Sequence, residues 1–156
     1  MKVSTDEREV LIAEARAVAG ELPPGEARDA FAEIADAAVD GVIPDELGGR
    51  VGRMLELSLG SGRAREEHGP EGVRAMTAVW RRTPSGAEAE RDAQELTTAL
   101  SALSGRPVEA VRVTPTGPGT TILAISAGGH TVRLTADSAG IRLRSIDVGG
   151  SDGGGE

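Results

Sequence analysis

The chain has 156 residues, a net charge of −8 and no cysteine. This length suits one ordinary domain or two small lobes. The absence of cysteine excludes disulfides, thiolate catalysis and cysteine-based zinc sites. The negative charge opposes binding to nucleic acid and to anionic membranes. Trp80 and Phe31 are the only aromatic residues, so the chain lacks platforms on which bases could stack. Residues 4–9 lack the pattern of a signal peptide, and no apolar stretch is long enough to span a bilayer. We therefore expect a cytoplasmic protein that binds neither nucleic acid nor membranes.

Two amphipathic helices are predicted at the start of the chain. The first begins at Ser4, which has capping-box spacing to Glu7, and ends at Pro23-Pro24-Gly25. The second runs from about Glu26 to Val39, where apolar residues recur at helical spacing. Residues 1–59 carry 13 acidic and 6 basic side chains, so their net charge is −7. We expect this acidic helical region to be a lobe for oligomerisation or partner binding, because its apolar stripes need a partner.

Three more helices are predicted before residue 105. Residues 44–59 form one of them, although Leu55-Glu56-Leu57-Ser58-Leu59 alternates like a strand, because the preceding residues fit a helix. A break follows at Gly60-Ser61-Gly62, with another turn or two to His68, and Gly69-Pro70 restarts the helix. The longest helix follows Ser85, which has capping-box spacing to Glu88. Its predicted core seam consists of Ala89, Ala93, Leu96, Leu100 and Leu103.

After Gly105 the pattern changes to short alternating apolar runs, which predict four strands at about 108–114, 120–127, 130–136 and 141–148. Gly128-Gly129 is typical of a two-residue hairpin turn, and a change of phase after Leu143 predicts a β-bulge near Ser145. The face expected to pack on the helix 85–104 comprises Leu123, Ile125, Val132, Leu134, Ile141 and Leu143. The predicted fold class is α+β, with about five helices followed by a four-stranded antiparallel meander packed on the last helix.

In this organisation residues 60–148 contain helices and the sheet, and residues 149–156 form a flexible Gly-rich tail. The tail ends in Gly154-Gly155-Glu156, which resembles the ending of prokaryotic ubiquitin-like modifiers. In that family the terminal glutamate is joined to lysines, so the resemblance implies conjugation through Glu156. A frayed terminus is the alternative interpretation.

The candidate ligand-binding residues are Gly60, Gly62, Arg63, Arg65 and His68. Backbone N–H groups of a Gly-x-Gly turn before a helix can bind a phosphate, and Arg65 and His68 are spaced to converge on one anion. The segment resembles the first motif of nucleotide-fold methyltransferases, except that Arg65 stands at the third glycine and no alternating βα units follow. A helix break with a solvated surface explains the same residues, because Glu66 and Glu67 nearly neutralise it.

The candidate partner-binding residues are Arg112, Arg133, Arg142 and Arg144, which alternate with apolar residues and should line the outer face of the sheet. Four arginines there could receive an acidic partner, an anionic ligand or the acidic helices of this chain. A solvent-facing β-surface is the alternative. No other pattern gathers catalytic residues, metal ligands or a cofactor motif, so no metal or cofactor is expected.

The function predicted from the sequence is therefore that of a small soluble non-catalytic protein. It would act through protein–protein interaction, as a homo-oligomer, an adaptor or an accessory subunit. The alternative is an anion- or nucleotide-binding protein, including an enzyme, that uses the segment from Gly60 to His68.

Overall fold

The structure, a computed structural model, describes residues 1–138 and 140–148. Five helices are followed by four strands, which confirms the predicted α+β class. The helices are α1 (Thr5–Glu21), α2 (Glu26–Val39), α3 (Asp45–Ser61), α4 (Arg63–Trp80) and α5 (Pro84–Ser101). The strands are β1 (Val108–Gly117), β2 (Thr120–Ala127), β3 (His130–Asp137) and β4 (Gly140–Val148). The predicted tail 149–156 lies outside the described residues.

The chain divides into two compact units, and the boundary lies inside α5. The first unit is Met1–Glu88, and the second begins at Ala89 and includes the sheet. The role of the acidic region 1–59 in oligomerisation or partner binding stays a prediction. Its helices belong to the first unit together with α4. Among the described residues, no helix has the length and apolar content that crossing a bilayer requires.

The first unit is held together by the apolar stripes of its helices. Leu11, Ile34, Leu55 and Val79 are fully buried, and each of them lies on a different one of the first four helices. A fully buried aliphatic side chain of this size contributes about 1.5–3 kcal/mol relative to an exposed one. The core therefore depends on all four helices, which explains why their amphipathic patterns were visible in the sequence.

Two glycines mark breaks in the helical segment formed by α3 and α4. Gly62 ends α3 in the left-handed conformation, with φ 84°. Inside α4, Gly69 departs from helical geometry with φ 63°, immediately before Pro70. Both breaks were predicted, because glycine adopts positive φ at little cost and proline begins helices more readily than it continues them. The residues 55–59 are helical, so the strand–turn–helix geometry of the methyltransferase motif is not formed.

The start of α5 differs from the prediction. Thr83, not Ser85, is the capping residue, because its Oγ1 accepts a hydrogen bond from Gly86 N at 3.3 Å. Pro84 then takes the first helical position, where its missing N–H costs nothing and its fixed φ suits a helix. The predicted Ser85–Glu88 capping box was wrong because the helix begins two residues earlier, with Thr83 as its cap and Pro84 in its first position.

The sheet is a meander in which β1, β2, β3 and β4 pair antiparallel with their neighbours in sequence. Gly128 and Gly129 both have positive φ, of 54° and 75°, as a two-residue hairpin turn requires. The bulge predicted near Ser145 is confirmed, since Arg133 pairs with Ser145 while Leu134 pairs with Leu143. Arg144 is therefore the extra residue on β4, and the pattern of inward and outward side chains changes phase there.

A small second core lies between α5 and the sheet. Its buried residues are Ala99, Val132 and Leu134, with Leu96, Leu103, Leu123 and Leu143 packed around them. The predicted seam of α5 is wrong in part, because Ala89 and Ala93 are exposed and Ala99 rather than Leu100 is buried. Only the last turns of α5 cover the strands, so earlier residues of the stripe have no sheet beneath them. Ile141 shares the apolar face but is 55% exposed.

The N-terminus of α1 joins a capping box to an ion pair. Ser4 N donates to Glu7 Oε2 at 2.8 Å, and Glu7 N donates to Ser4 Oγ at 3.4 Å. The Arg82 guanidinium lies 2.6 Å from Glu7 Oε1. Burial of the Glu7 carboxyl raises its pKa, but the hydrogen bonds from Arg82 and Ser4 outweigh burial, so the pKa of Glu7 is lowered.

Replacing Glu7 with glutamine is expected to destabilise the first unit by about 1–2 kcal/mol at pH 7, because a charged acceptor is lost. A lowered folded-state pKa means that this stabilisation is complete above the unfolded-state pKa. It disappears as the pH falls through the folded-state value. The difference in free energy of unfolding between the wild type and Glu7→Gln should therefore become smaller in acid, mainly below about pH 4.3. Urea unfolding, monitored by the fluorescence of Trp80, measures this difference. Glu9→Gln, an exposed residue of the same helix, should show no such difference.

Candidate functional sites

Glu14 of α1 is the centre of a buried charged cluster in the first unit. Its side chain is 2% exposed, and its Oε1 lies 3.2 Å from Arg63 Nη2. Its Oε2 lies 3.3 Å from His68 Nε2, so the two carboxylate oxygens have different partners. Arg63 also reaches Glu21 of α1, where Nη1 donates to Oε1 at 3.2 Å. We call Glu14, Arg63 and His68 the buried cluster, after its buried carboxylate; the side chains of Arg63 and His68 are 28% and 18% exposed.

The buried cluster brings together two of the five predicted ligand-binding residues. Arg63 and His68 converge on one anion, but that anion is the carboxylate of Glu14. Arg65, which the sequence paired with His68, is exposed, and Gly60 is exposed in the last turn of α3. Gly62 serves as the left-handed cap between two helices. Ligand binding by these five residues stays a prediction.

Glu14 is not among the site residues predicted from the sequence, because it is one of many acidic residues in this region. A signal was present, however. Glu14 lies three residues after Leu11 and four before Val18, so it occupies the apolar stripe of α1. A carboxylate in a buried stripe needs a cation, since an isolated buried charge costs several kcal/mol. The pattern could thus have indicated a buried ion pair, although not its partner.

Two clefts open beside the buried cluster within the first unit. Glu14 and Arg63 line a cleft of about 730 Å³ among α1, α2 and α3. The apolar part of its wall is formed by Val18, Ala27, Ala30, Phe31, Met54 and Leu57. Arg50 and Arg53 of α3 also line it, are exposed, and have no ion-pair partner among the described residues. His68 lines a second cleft, of about 700 Å³, between α1 and α4.

Two of the four candidate arginines of the sheet are paired with carboxylates of the same sheet. Arg112 and Arg133 share the outer face, because the register aligns both of them with Ala124. Arg133 forms an ion pair with Asp147, and Arg142 Nη2 lies 2.5 Å from Asp137 Oδ2. Arg144 is the extra residue of the bulge. Two of the four thus have carboxylate partners within the sheet, and their role in partner binding stays a prediction.

The side of the sheet that α5 covers carries exposed aliphatic residues along both of its edges. On β1 they are Val108, Val111 and Val113, which we call the β1 strip. On β4 they are Ile141, Ile146 and Val148, which we call the β4 strip. The register places both strips on the same side as the buried Val132 and Leu134. Val113 and Val148 are 66% and 67% exposed. The alternation of the sequence predicted that Ile141 lies on this face, but it did not predict that the side chain is exposed.

No group of three or more His, Asp and Glu side chains is arranged to hold a metal ion among residues 1–138 and 140–148. Comparison with known proteins gives no further guidance, since no family model, no curated protein and no solved structure matches the chain. The buried cluster with its clefts and the two apolar strips are therefore the features on which a function can be argued.

Proposed function

We propose that this protein acts without catalysis, through protein–protein interaction, as a homo-oligomer that uses the apolar side of its sheet. The observation that carries this proposal is the pair of strips on β1 and β4, because α5 covers only the middle of that side. Contiguous apolar surface on a soluble protein commonly marks an interaction site, whereas scattered apolar residues do not.

The small core of the second unit supports the same conclusion. Among the described residues, its core cluster has three buried members, while the two strips expose six aliphatic side chains. Covering one such side chain contributes about 1.5–3 kcal/mol at most, so association adds substantially to a core of this size. A second copy is a suitable partner because an apolar strip is complementary to itself, as an isologous interface requires.

Light scattering over a range of about 1–200 μM tests the proposal, because mass action makes self-association depend on concentration. We expect the wild type to associate as its concentration rises. Two double variants remove one strip each while keeping β-branched residues: Val111→Thr with Val113→Thr, and Ile146→Thr with Val148→Thr. At least one of the two double variants should raise the dissociation constant of self-association about tenfold or more. Val39→Thr, an exposed valine of α2, is the control.

A wild type that stays monomeric over that range would contradict the proposal. So would association that neither double variant weakens. If this protein were an adaptor or accessory subunit, a different protein would bind the same strips, and this chain alone would be a monomer in the experiment.

Binding of a small anion by the segment from Gly60 to His68 is the second candidate function. The specific observation in its favour is the cleft that Arg63 of this segment lines together with an apolar wall. Arg50 and Arg53 of α3 line the same cleft and lack ion-pair partners among the described residues, and the carboxylates of Glu14, Glu21 and Glu26 line it as well. Such a cleft suits an anionic group attached to an apolar one, because the arginines and the wall would hold different parts of the ligand.

Thermal unfolding with dodecanoate or ATP as the probe tests this second candidate. A bound probe should raise the melting temperature as its concentration rises. Arg53→Gln should reduce the shift, since Arg53 lines the cleft, whereas Arg16→Gln on exposed α1 surface should leave it unchanged. Equal shifts in both variants, or none in the wild type, would count against ligand binding in this cleft.

A further inference from the structure

We infer that two copies of this chain pair antiparallel through their β4 strands, so that their sheets join into one of eight strands. The inference rests on the proposed self-association and names the surface that performs it. The strand order leaves β1 and β4 as the two edges of the sheet. An edge strand presents unpaired N–H and C=O groups that another strand can bind.

Of the two edges, β4 is the one suited to pairing. The β1 edge contains Pro115, which has no N–H to donate, and its register is interrupted near Glu109 and again near Thr116. Such features are typical of edges that are protected from pairing. In contrast, β4 has no proline and a single irregularity, at Arg144. The exposed β4 strip also provides apolar surface that a second copy would bury.

The sequence of β4 is complementary to itself in one antiparallel register. With the twofold axis between Arg144 and Ser145, Ile141 lies opposite the second copy's Val148, and Leu143 lies opposite the second copy's Ile146. Arg142 lies opposite the second copy's Asp147. Apolar residues thus meet apolar residues and opposite charges meet, and symmetry makes each pair occur twice. Directly opposed side chains are the pairs that stabilise or destabilise neighbouring strands.

The bulge explains why this register is favoured. In a regular strand Ile141 and Val148 would face opposite sides of the sheet, because seven residues separate them. The extra residue at Arg144 restores both to the side that α5 covers. Sliding one strand by a single residue sets Ile146 against Arg142 or Arg144, and Asp147 against Ile141 or Leu143. Those registers lose both the apolar and the charged pairs.

The ion pairs within each sheet extend across this interface. Arg142 has Asp137 on its own chain, and Asp147 has Arg133. Pairing adds the contact between Arg142 and the second copy's Asp147, which links the two existing pairs on the outer face. On the other side, the two β4 strips come together between the α5 helices of the two copies.

Charge reversal tests the register. Arg142→Asp alone sets two acidic groups opposite each other, and Asp147→Arg alone sets two basic groups opposite each other. We expect each variant alone to have a dimer dissociation constant about 30-fold above that of the wild type. Mixed in equal amounts, they should associate within about threefold of the wild type. In the mixed dimer the introduced aspartate faces the introduced arginine, and the native pair stays intact. Arg112→Asp, on the other edge of the same outer face, is the matched control and should associate normally.

A covalent test keeps the inference falsifiable if a charge variant folds poorly. The chain has no cysteine, so Arg142→Cys with Asp147→Cys gives a defined pair. Positions 142 and 147 are opposite Thr135 and Thr131 of β3. Within one strand they are therefore about 14 Å apart, too far for a disulfide, so mild oxidation should link two copies. Arg112→Cys with Asp147→Cys should not form this dimer.

The outcomes separate the two proposals. A monomeric wild type overturns the proposed function and this interface with it. A wild type that associates while both charge variants associate equally well alone overturns the β4 interface and leaves self-association standing. The β4 interface is also overturned if the mixed charge variants do not regain association and the Arg142→Cys with Asp147→Cys variant forms no disulfide-linked dimer.

Discussion

Replacing Arg63 with methionine is expected to destabilise the first unit by about 3–4 kcal/mol at pH 7. The substitution leaves the carboxylate of Glu14, which is 2% exposed, with His68 as its remaining partner in the buried cluster. Removing the arginine is costly because the carboxylate of Glu14 stays desolvated with only His68 beside it. Urea unfolding followed by the fluorescence of Trp80, the only tryptophan, measures the loss.

The reverse substitution, Glu14→Gln, should cost less, about 1–2 kcal/mol. Glutamine keeps the shape and an acceptor oxygen, and Arg63 retains Glu21 and is itself 28% exposed. The double variant should therefore be less destabilised than the sum of the two single variants, since no buried charge is left unpaired. Arg53→Met, at an exposed arginine without an ion-pair partner among the described residues, is the control and should change stability by less than about 0.5 kcal/mol. Equal losses for Arg63→Met and Glu14→Gln would contradict this explanation of the buried cluster.

Replacing Gly86 with alanine is expected to destabilise the protein by about 3 kcal/mol, at the upper end for an overpacked site. A Cβ built on Gly86 would lie 2.0 Å from the carbonyl oxygen of Trp80 and 2.7 Å from Arg81 Cα. Both are backbone atoms of the turn between α4 and α5, so no side chain can rotate away to make room. The turn itself would have to shift.

The sign of this effect is informative because an alanine normally stabilises a helix relative to glycine. Gly20→Ala in α1 is the matched control, since no atom outside its chain neighbours and the adjacent backbone of its own helix lies within 4 Å of the added Cβ. It should stabilise the protein by about 0.5–1 kcal/mol. The same urea experiment compares the two variants. A neutral or stabilising Gly86→Ala would mean that the turn is looser than its geometry indicates.

Local signals in the sequence predicted the elements of this fold well. The capping box at Ser4, the break at Gly62 and the hairpin at Gly128-Gly129 all depend on residues that are neighbours in the chain. Their preferred backbone conformations therefore act whatever the rest of the molecule does. The phase change that predicted the bulge at Arg144 is equally local. One local prediction was wrong, the cap of α5, because Thr83 and Pro84 together form a better start than Ser85.

Contacts between residues far apart in the chain could not be predicted from these local signals. Glu14 and His68 are 54 positions apart, and neither one specifies the other, since many acidic and basic residues would satisfy the same rule. Likewise the stripe of α5 has helical spacing along its whole length, but it is buried only where strands lie beneath it.

By itself, the sequence determined the α+β order, the breaks between helices and the alternation of each strand, because caps, turns and periodicity act over a few residues. The tertiary structure alone decided that Arg63 and His68 bind an internal carboxylate, and that Ile141, Ile146 and Val148 stay exposed at the edge of the apolar face. Burial and charge pairing are properties of surfaces that form only when distant segments meet. The candidate sites therefore became visible only when the packing was known.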